Sequence, residues 1–170
     1  PQTTLRTCYE PVTMADPIRV LHVDDDPSVA ELAAEFLERE DGRIEVSVAE
    51  SAREALDRLD GEGADVDCVV SDYQMPELDG LAFFDALRER DPDLPFILFT
   101  GKGSEEIAGE AVRAGVTDYL QKGTGTEQYT LLANRVRNAV ERHEARREVE
   151  ETRRRFRKLH QDAADYIHVL

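Results

Sequence analysis

Three successive aspartates, Asp24, Asp25 and Asp26, close an apolar run at Ile18–Val23, and Asp72 closes another that runs from Asp67 to Ser71. A single acid in such a place is commonly a helix cap, and Asp26, followed by Pro27, reads as one. Asp24, Asp25 and Asp72 have a different problem. Brought together by the fold, they repel and raise one another's pKa unless a divalent cation keeps them ionised. Mg²⁺, a hard ion that prefers six oxygen ligands and keeps several waters, answers that need. Two carboxylates, a loop carbonyl and solvent leave room beside it for a phosphoryl oxygen. Thr100 and Lys122, each placed after a further apolar run, add a hydroxyl donor and a cation. Such a set suits in-line phosphoryl transfer to a carboxylate, a reaction in which positioning and charge neutralisation do most of the work. Lys122 is expected to pair with oxygens of the transferred group, and Thr100 to hydrogen-bond one of them.

For these side chains to meet, strand ends must converge. Ile18–Val23 is β-branched and apolar, so it reads as a buried strand, and a helix follows with Val29, Leu32, Ala33, Phe36 and Leu37 at helical spacing. Ile44–Ala49 predicts a second strand, and Ser51 with Glu54 forms a capping box ahead of Ala52, Ala55, Leu56 and Leu59. The third strand ends at Ser71. A loop holding Pro76, Asp79 and Gly80 leads to a helix with Leu81, Phe84 and Leu87. Pro95–Phe99 predicts strand four, then a helix from Ser104 through Ile107, Ala108, Ala111 and Val112, closed by Gly115. Val116–Leu120 predicts strand five. A last helix from about Thr126 should turn Leu131, Leu132, Val136, Ala139 and Val140 inward.

Strict alternation of strand and helix, with almost continuously apolar strands, implies an α/β fold: a (βα)5 doubly wound parallel sheet covered on both faces. The favoured flavodoxin-like order is 2-1-3-4-5, and its binding crevice lies beyond the carboxyl ends of strands 1 and 3, where Asp24, Asp25 and Asp72 fall.

Composition excludes some functions. With a net charge of -16 over 170 residues, the chain as a whole repels nucleic acid, and no DNA binding by this chain alone is expected. The acid excess, with Lys102, Lys122 and Lys158 the only lysines, resembles proteins of extreme halophiles, since molar salt screens such self-repulsion. No apolar run approaches the roughly 20 residues of a membrane span, and no secretory pattern opens the sequence, so a cytoplasmic protein is expected. Cys8 and Cys68 are expected to stay reduced. Residues 1–15, which include Met14, are expected to form an extension outside the fold and without order.

The motifs His22-Val23-Asp24-Asp25-Asp26, Val69 to Gly80, Phe99-Thr100-Gly101 and Asp118-Tyr119-Leu120-Gln121-Lys122 together resemble the receiver domain of two-component response regulators, over about Ile18 to Val140. The resemblance implies that Asp72 takes a phosphoryl group from a phosphohistidine on a partner histidine kinase, and that the domain is a signalling switch rather than an enzyme with a separate substrate. It implies Mg²⁺ held by Asp25, Asp72 and the main-chain carbonyl of Gln74, with Asp24 acting through water. It also implies that Thr100 moves inward on phosphorylation, that Tyr119 turns from exposed to buried, and that the face of the fourth helix, fifth strand and fifth helix is remodelled for partners. Gly123 departs from the pattern, which commonly has proline there. Gln74 and Lys102 stand where the family tunes loss of the phosphoryl group.

The composition turns strongly charged at residues 141–160, with Glu150 and Arg154, and Glu151 and Arg155, spaced for helix support, so a charged helical linker is expected after a receiver at 16–140. Pairing of two copies is expected through this helix or through the face around Tyr119. Arg153 to Leu170 resembles the start of a PAS sensor domain, as found after receivers in some archaeal multidomain proteins, so 161–170 reads as the start of such a domain or a tail. His143-Glu144 lacks the Asn-Pro that follows a kinase phosphoacceptor histidine and reads as surface. Two other functions remain open. A haloacid-dehalogenase-like phosphatase would use Asp24 as nucleophile with Asp26 and Mg²⁺, and an interaction module would keep the fold without phosphorylation.

Overall fold

The computed structural model describes residues 16–61, 65–101 and 105–167. Expectations concerning residues 1–15 (Cys8 and Met14 among them), Lys102, the helix start at Ser104, and the last three residues lie outside the described residues. Five strands, β1 (Ile18–Val23), β2 (Ile44–Ala49), β3 (Cys68–Ser71), β4 (Phe96–Thr100) and β5 (Asp118–Gln121), alternate with α1 (Pro27–Glu40), α2 (Ala52–Asp60), α3 (Gly80–Arg90), α4 (Glu105–Ala114) and α5 (Glu127–Ile167). All strand pairs are parallel, in the order β2-β1-β3-β4-β5. The doubly wound fold expected from the alternation is therefore the one observed.

Helix starts follow local chemistry. The Asp26 carboxylate accepts from the Ser28 and Val29 N–H groups, with Pro27 in the first helical position, and Asp79 does the same for Leu81 and Ala82. Each occupies donors that a helix leaves free at its start. Ser51 accepts from the Glu54 N–H, while the Glu54 carboxylate reaches one residue past the usual box to accept from the Glu50 N–H. Gly115, at φ +86, closes α4 in the left-handed region open to glycine.

The sheet carries a separate core on each face. Val20, Val70, Ile97 and Phe99 pack toward α1 and α5, against Leu37, Leu132 and Val136. Leu21, Val69, Phe96 and Leu98 face α2 to α4. There Phe96 meets Phe83 and Phe84 edge-on at 5.5 and 5.1 Å, contacts worth about 0.5–1.5 kcal/mol each beyond burial itself. Cys68 is a free, buried thiol whose ionisation burial opposes.

Several expected details differ. Leu131 is 45% exposed rather than turned inward. The buried stripe of α5 is Tyr129, Leu132, Ala133, Val136, Ala139 and Val140, and Leu131 lies about 100° around the helix from its neighbour Leu132, beyond that stripe's edge. Leu32 and Val112 are also exposed. Strand β4 includes Thr100 as its last residue and omits Pro95, and β5 starts at Asp118 rather than Val116. Thr117 serves as the entry clasp: its hydroxyl oxygen accepts from the Phe96 N–H, and its own N–H donates to the Phe96 carbonyl. The expected helical continuation past residue 140 is the one observed: α5 runs unbroken to Ile167 over 41 residues, a rod of about 60 Å.

Candidate functional site

The register of the sheet delivers the acids together. Val23 stands opposite Ser71, so the residues that follow them, Asp24 and Asp72, leave neighbouring strands side by side. Backbone bonds extend the ladder past the strands: the Asp24 N–H donates to Ala49, Asp72 to Val23, and Lys122 to Thr100. Each side chain is thus held by the main chain of the adjacent strand. Asp24, Asp25 and Asp72 each offer a carboxylate oxygen, all within 4.8 Å of one another. That all-oxygen set suits a hard divalent cation.

The acids are not equivalent. Asp24 is buried, with one oxygen accepting from the Asp26 N–H at 2.9 Å and the other from Lys122 Nζ at 2.7 Å. Lys122 lies farther from Asp72, at 3.6 Å from Oδ1. That Asp72 oxygen is buried and accepts no hydrogen bond among the described residues, so the Lys122 ammonium attracts it from a distance while its hydrogen-bonding capacity stays orphaned. Burial pushes the Asp72 carboxyl above the usual carboxylate range, and the Asp24 charge adds to this, whereas Lys122, the Tyr73 N–H and the Thr100 hydroxyl oppose it. A buried, under-bonded oxygen among acids fits a cation or an incoming electrophile better than it fits water. The Mg²⁺ expectation therefore agrees with the donor set and with this orphaned atom.

Asp25 is exposed and lines an open depression with Tyr73, Gln74, Met75, Pro76 and Asp79. Thr100 is 1% exposed at the end of β4. Tyr119, whose starting position the resemblance implied to be exposed, is instead half-buried, and its hydroxyl is buried without a hydrogen-bond partner among the described residues. Lys122 Nζ also stands 5.6 Å over the Phe99 ring. The fold therefore gathers Asp24, Asp25, Asp72, Thr100 and Lys122 at the carboxyl edge of the sheet. Tyr119 sits on β5 beside them.

Other residues shape the site beyond those expected to hold the ion or the phosphoryl group. A Cβ on Gly80 would lie 2.5 Å from the Asp72 carbonyl oxygen and 2.7 Å from Leu98 Cδ1, so only glycine lets the loop return so near the main chain of Asp72. The Gly80 N–H donates to the Tyr73 carbonyl at 2.8 Å. Within that loop Glu77 adopts φ +70, and the Leu78 N–H donates to the Pro76 carbonyl, which makes a tight three-residue turn. His22 is fully buried on β1, and burial lowers its pKa to about 4. The Asp79-Gly80 pair was the visible signal for the loop's return; the burial of His22 had none beyond its place in an apolar run.

A family model for the response regulator receiver domain matches residues 20–134. The chain is similar to the C4-dicarboxylate transport transcriptional regulatory protein DctD of Pseudomonas aeruginosa, 36% identical over 72% of this chain and 25% of that protein. It is also similar to the response regulator MprA of Mycolicibacterium vanbaalenii, 39% identical over 69% of this chain and 48% of that one. The chain thus spans between a quarter and a half of these two relatives. Among solved structures, a response regulator receiver domain protein from Clostridium thermocellum superposes with a TM-score of 0.65 at 27% identity, covering 75% of this chain and 98% of that one.

Proposed function

This chain belongs to the response regulator receiver domain family of two-component systems, signalling domains that interact with histidine kinases, and on that premise we propose that it is a Mg²⁺-dependent switch whose phosphoacceptor is Asp72. The observation that carries the proposal is the contrast between the acids. Both Asp24 oxygens are engaged, whereas Asp72 Oδ1 is buried and accepts no hydrogen bond among the described residues.

In the reaction, an Asp72 oxygen forms a bond to phosphorus as the phosphorus–nitrogen bond of the kinase phosphohistidine breaks, and the bonding pair returns to the imidazole nitrogen. Partial desolvation leaves the attacking oxygen less shielded by water. Lys122 lies between Asp24 and Asp72, so a small swing takes its ammonium from the acid it now holds to the oxygens of the transferred group. Thr100 donates its hydroxyl to one of those oxygens. Asp25, Asp72 and the Gln74 carbonyl would hold Mg²⁺, and Asp24 would hold it through water; when bound, the ion neutralises the clustered acids and the phosphoryl oxygens. Tyr119, whose hydroxyl has no hydrogen-bond partner among the described residues, then follows Thr100, which carries the change to the face of α4, β5 and α5. Favouring one of two existing conformations by a few kcal/mol is enough.

A phosphatase with Asp24 as nucleophile fits less well, because that carboxylate is occupied on both oxygens. A purely structural interaction module would have no use for the orphaned oxygen of Asp72. We assign residues 16–140 to the receiver and 141–160 to a charged linker, with the PAS-like run beyond as the start of a following segment. Among the described residues no helix is long and apolar enough to cross a membrane, and we place the protein in the cytosol. The net charge of -16 supports a halophilic setting; an equal melting temperature in low and molar salt would count against that.

The test of the site is a calorimetric Mg²⁺ titration. Asp25→Ala, which removes an exposed ligand without touching the core, is expected to weaken binding at least about tenfold. An unchanged titration would remove the ion from this pocket.

A further inference from the structure

From Glu144 to Asp162 every side chain of α5 is exposed, yet the helix carries Val149, Phe156 and Leu159, which are 52%, 61% and 68% exposed. Large apolar residues spaced this way along a helix that packs on nothing mark a surface waiting for a partner. With Ala145 and Thr152 they form one stripe at alternating steps of four and three, a heptad seam with Val149 and Phe156 at one core position and Ala145, Thr152 and Leu159 at the other. The sequence keeps the same spacing at Ala163 and Tyr166.

The flanking charges decide the occupant and its direction. In this register Glu141, Glu148, Arg155 and Asp162 border the seam on one side, and Arg146, Arg153 and His160 on the other. In a parallel pair of identical helices, each residue on the first side faces the residue five positions on in the partner. Glu141 then meets the partner's Arg146, and Glu148 the partner's Arg153; the third pair, Arg155 with the partner's His160, brings no opposite charge. An antiparallel pair would set the second side against itself, arginine against arginine. Arg146 and Arg153 have no ion-pair partner within their own chain among the described residues, whereas Arg155 is engaged by Glu151.

The rest of the domain permits the approach. Run backward, the seam passes through Arg142, Asn138, Arg135 and Leu131, all exposed, on the side of α5 away from the stripe buried against the sheet. We propose that residues 145–159 of α5 pair with the same segment of a second copy of this chain as a parallel, in-register coiled coil. The pairing stands on the helix itself and not on the phosphoacceptor reading of Asp72.

Sedimentation of the full chain in moderate salt tests it. Wild type should be a dimer. Phe156→Ser with Leu159→Ser, both at exposed side chains, of which Phe156 meets the ring of His160 one turn on in the same helix, should raise the dimer dissociation constant at least about a hundredfold. Arg146→Glu with Arg153→Glu should also dissociate the dimer, and adding Glu141→Arg with Glu148→Arg should restore it. In a Cys8→Ser background, Thr152→Cys at the seam should oxidise to a disulfide-linked dimer, while Arg154→Cys on the outer face should not. A monomer at every concentration would overturn the proposal. So would a dimer undiminished by the serine variant, which would move the contact to the face around Tyr119, or equal cross-linking through Arg154→Cys.

Discussion

Replacing Lys122 with methionine keeps most of the side chain's volume and removes the only cation contacting Asp24 and Asp72 among the described residues. The ammonium is 2.7 Å from Asp24 and 3.6 Å from Asp72, and the three side chains are 19%, 3% and 12% exposed. At an effective dielectric of about 20, the two attractions are each worth roughly 5 kcal/mol before desolvation is subtracted. Removing one partner of such a buried pair leaves uncompensated charge and costs about 3–5 kcal/mol. For a domain of this size each kcal/mol moves the melting temperature by about 2–4 °C, so a fall on the order of 10 °C is expected in EDTA. Saturating Mg²⁺ replaces the missing countercharge, so it should recover more than half of the loss. Because the lysine and the ion neutralise the same acids, the variant should also bind Mg²⁺ more tightly than wild type, by linkage. Paired thermal melts with EDTA and with Mg²⁺, followed by a Mg²⁺ titration of each protein, test both effects. Equal losses in EDTA and in Mg²⁺, with unchanged Mg²⁺ affinity, would refute the claim that lysine and ion share one pair of acids.

Gly80→Ala forces a Cβ to within 2.5 Å of the Asp72 carbonyl; urea unfolding should show a loss of about 2–3 kcal/mol, and a loss below the error of the curve would mean that the loop is not held as described. His22 takes a proton at about 4 when folded against an ordinary 6.5, so between those values the unfolded chain binds more protons and folding weakens as pH falls. The benefit of the neutral, buried imidazole is whole above 6.5 and lost by about 4. From neutral pH to about pH 5, wild type should therefore lose roughly 2 kcal/mol relative to His22→Met. Parallel urea curves for the two proteins would argue against that burial. The opposite contribution of Asp72 is common to both and cancels.

Much of this molecule is legible in its residues because strand ends and chemistry coincide. Apolar runs such as Ile18–Val23 stop where an acid begins, and parallel topology puts those stops on one edge of the sheet, so the convergence of Asp24, Asp25 and Asp72 followed from order alone. What hydrophobic pattern could not mark is where a hydrogen-bond ladder starts. Val116 looks like strand but belongs to the turn that Thr117 clasps to Phe96. Leu131 is as apolar as Leu132, and only packing decides which of two adjacent leucines is covered. The Lys122–Asp24 pair joins residues 98 positions apart, through side chains whose reach no spacing rule gives. The continuity of α5 past Val140 was half visible in its spaced charges, since no buried face demanded it.

The most direct measurement is the intact mass of the protein after incubation with acetyl phosphate and Mg²⁺ in high salt, for wild type and Asp72→Asn. A single phosphoryl-sized gain in wild type, lost in EDTA and absent from Asp72→Asn, is the predicted result. A gain of the same size in Asp72→Asn would put the nucleophile elsewhere, with Asp24 the first to examine, and contradict the assignment.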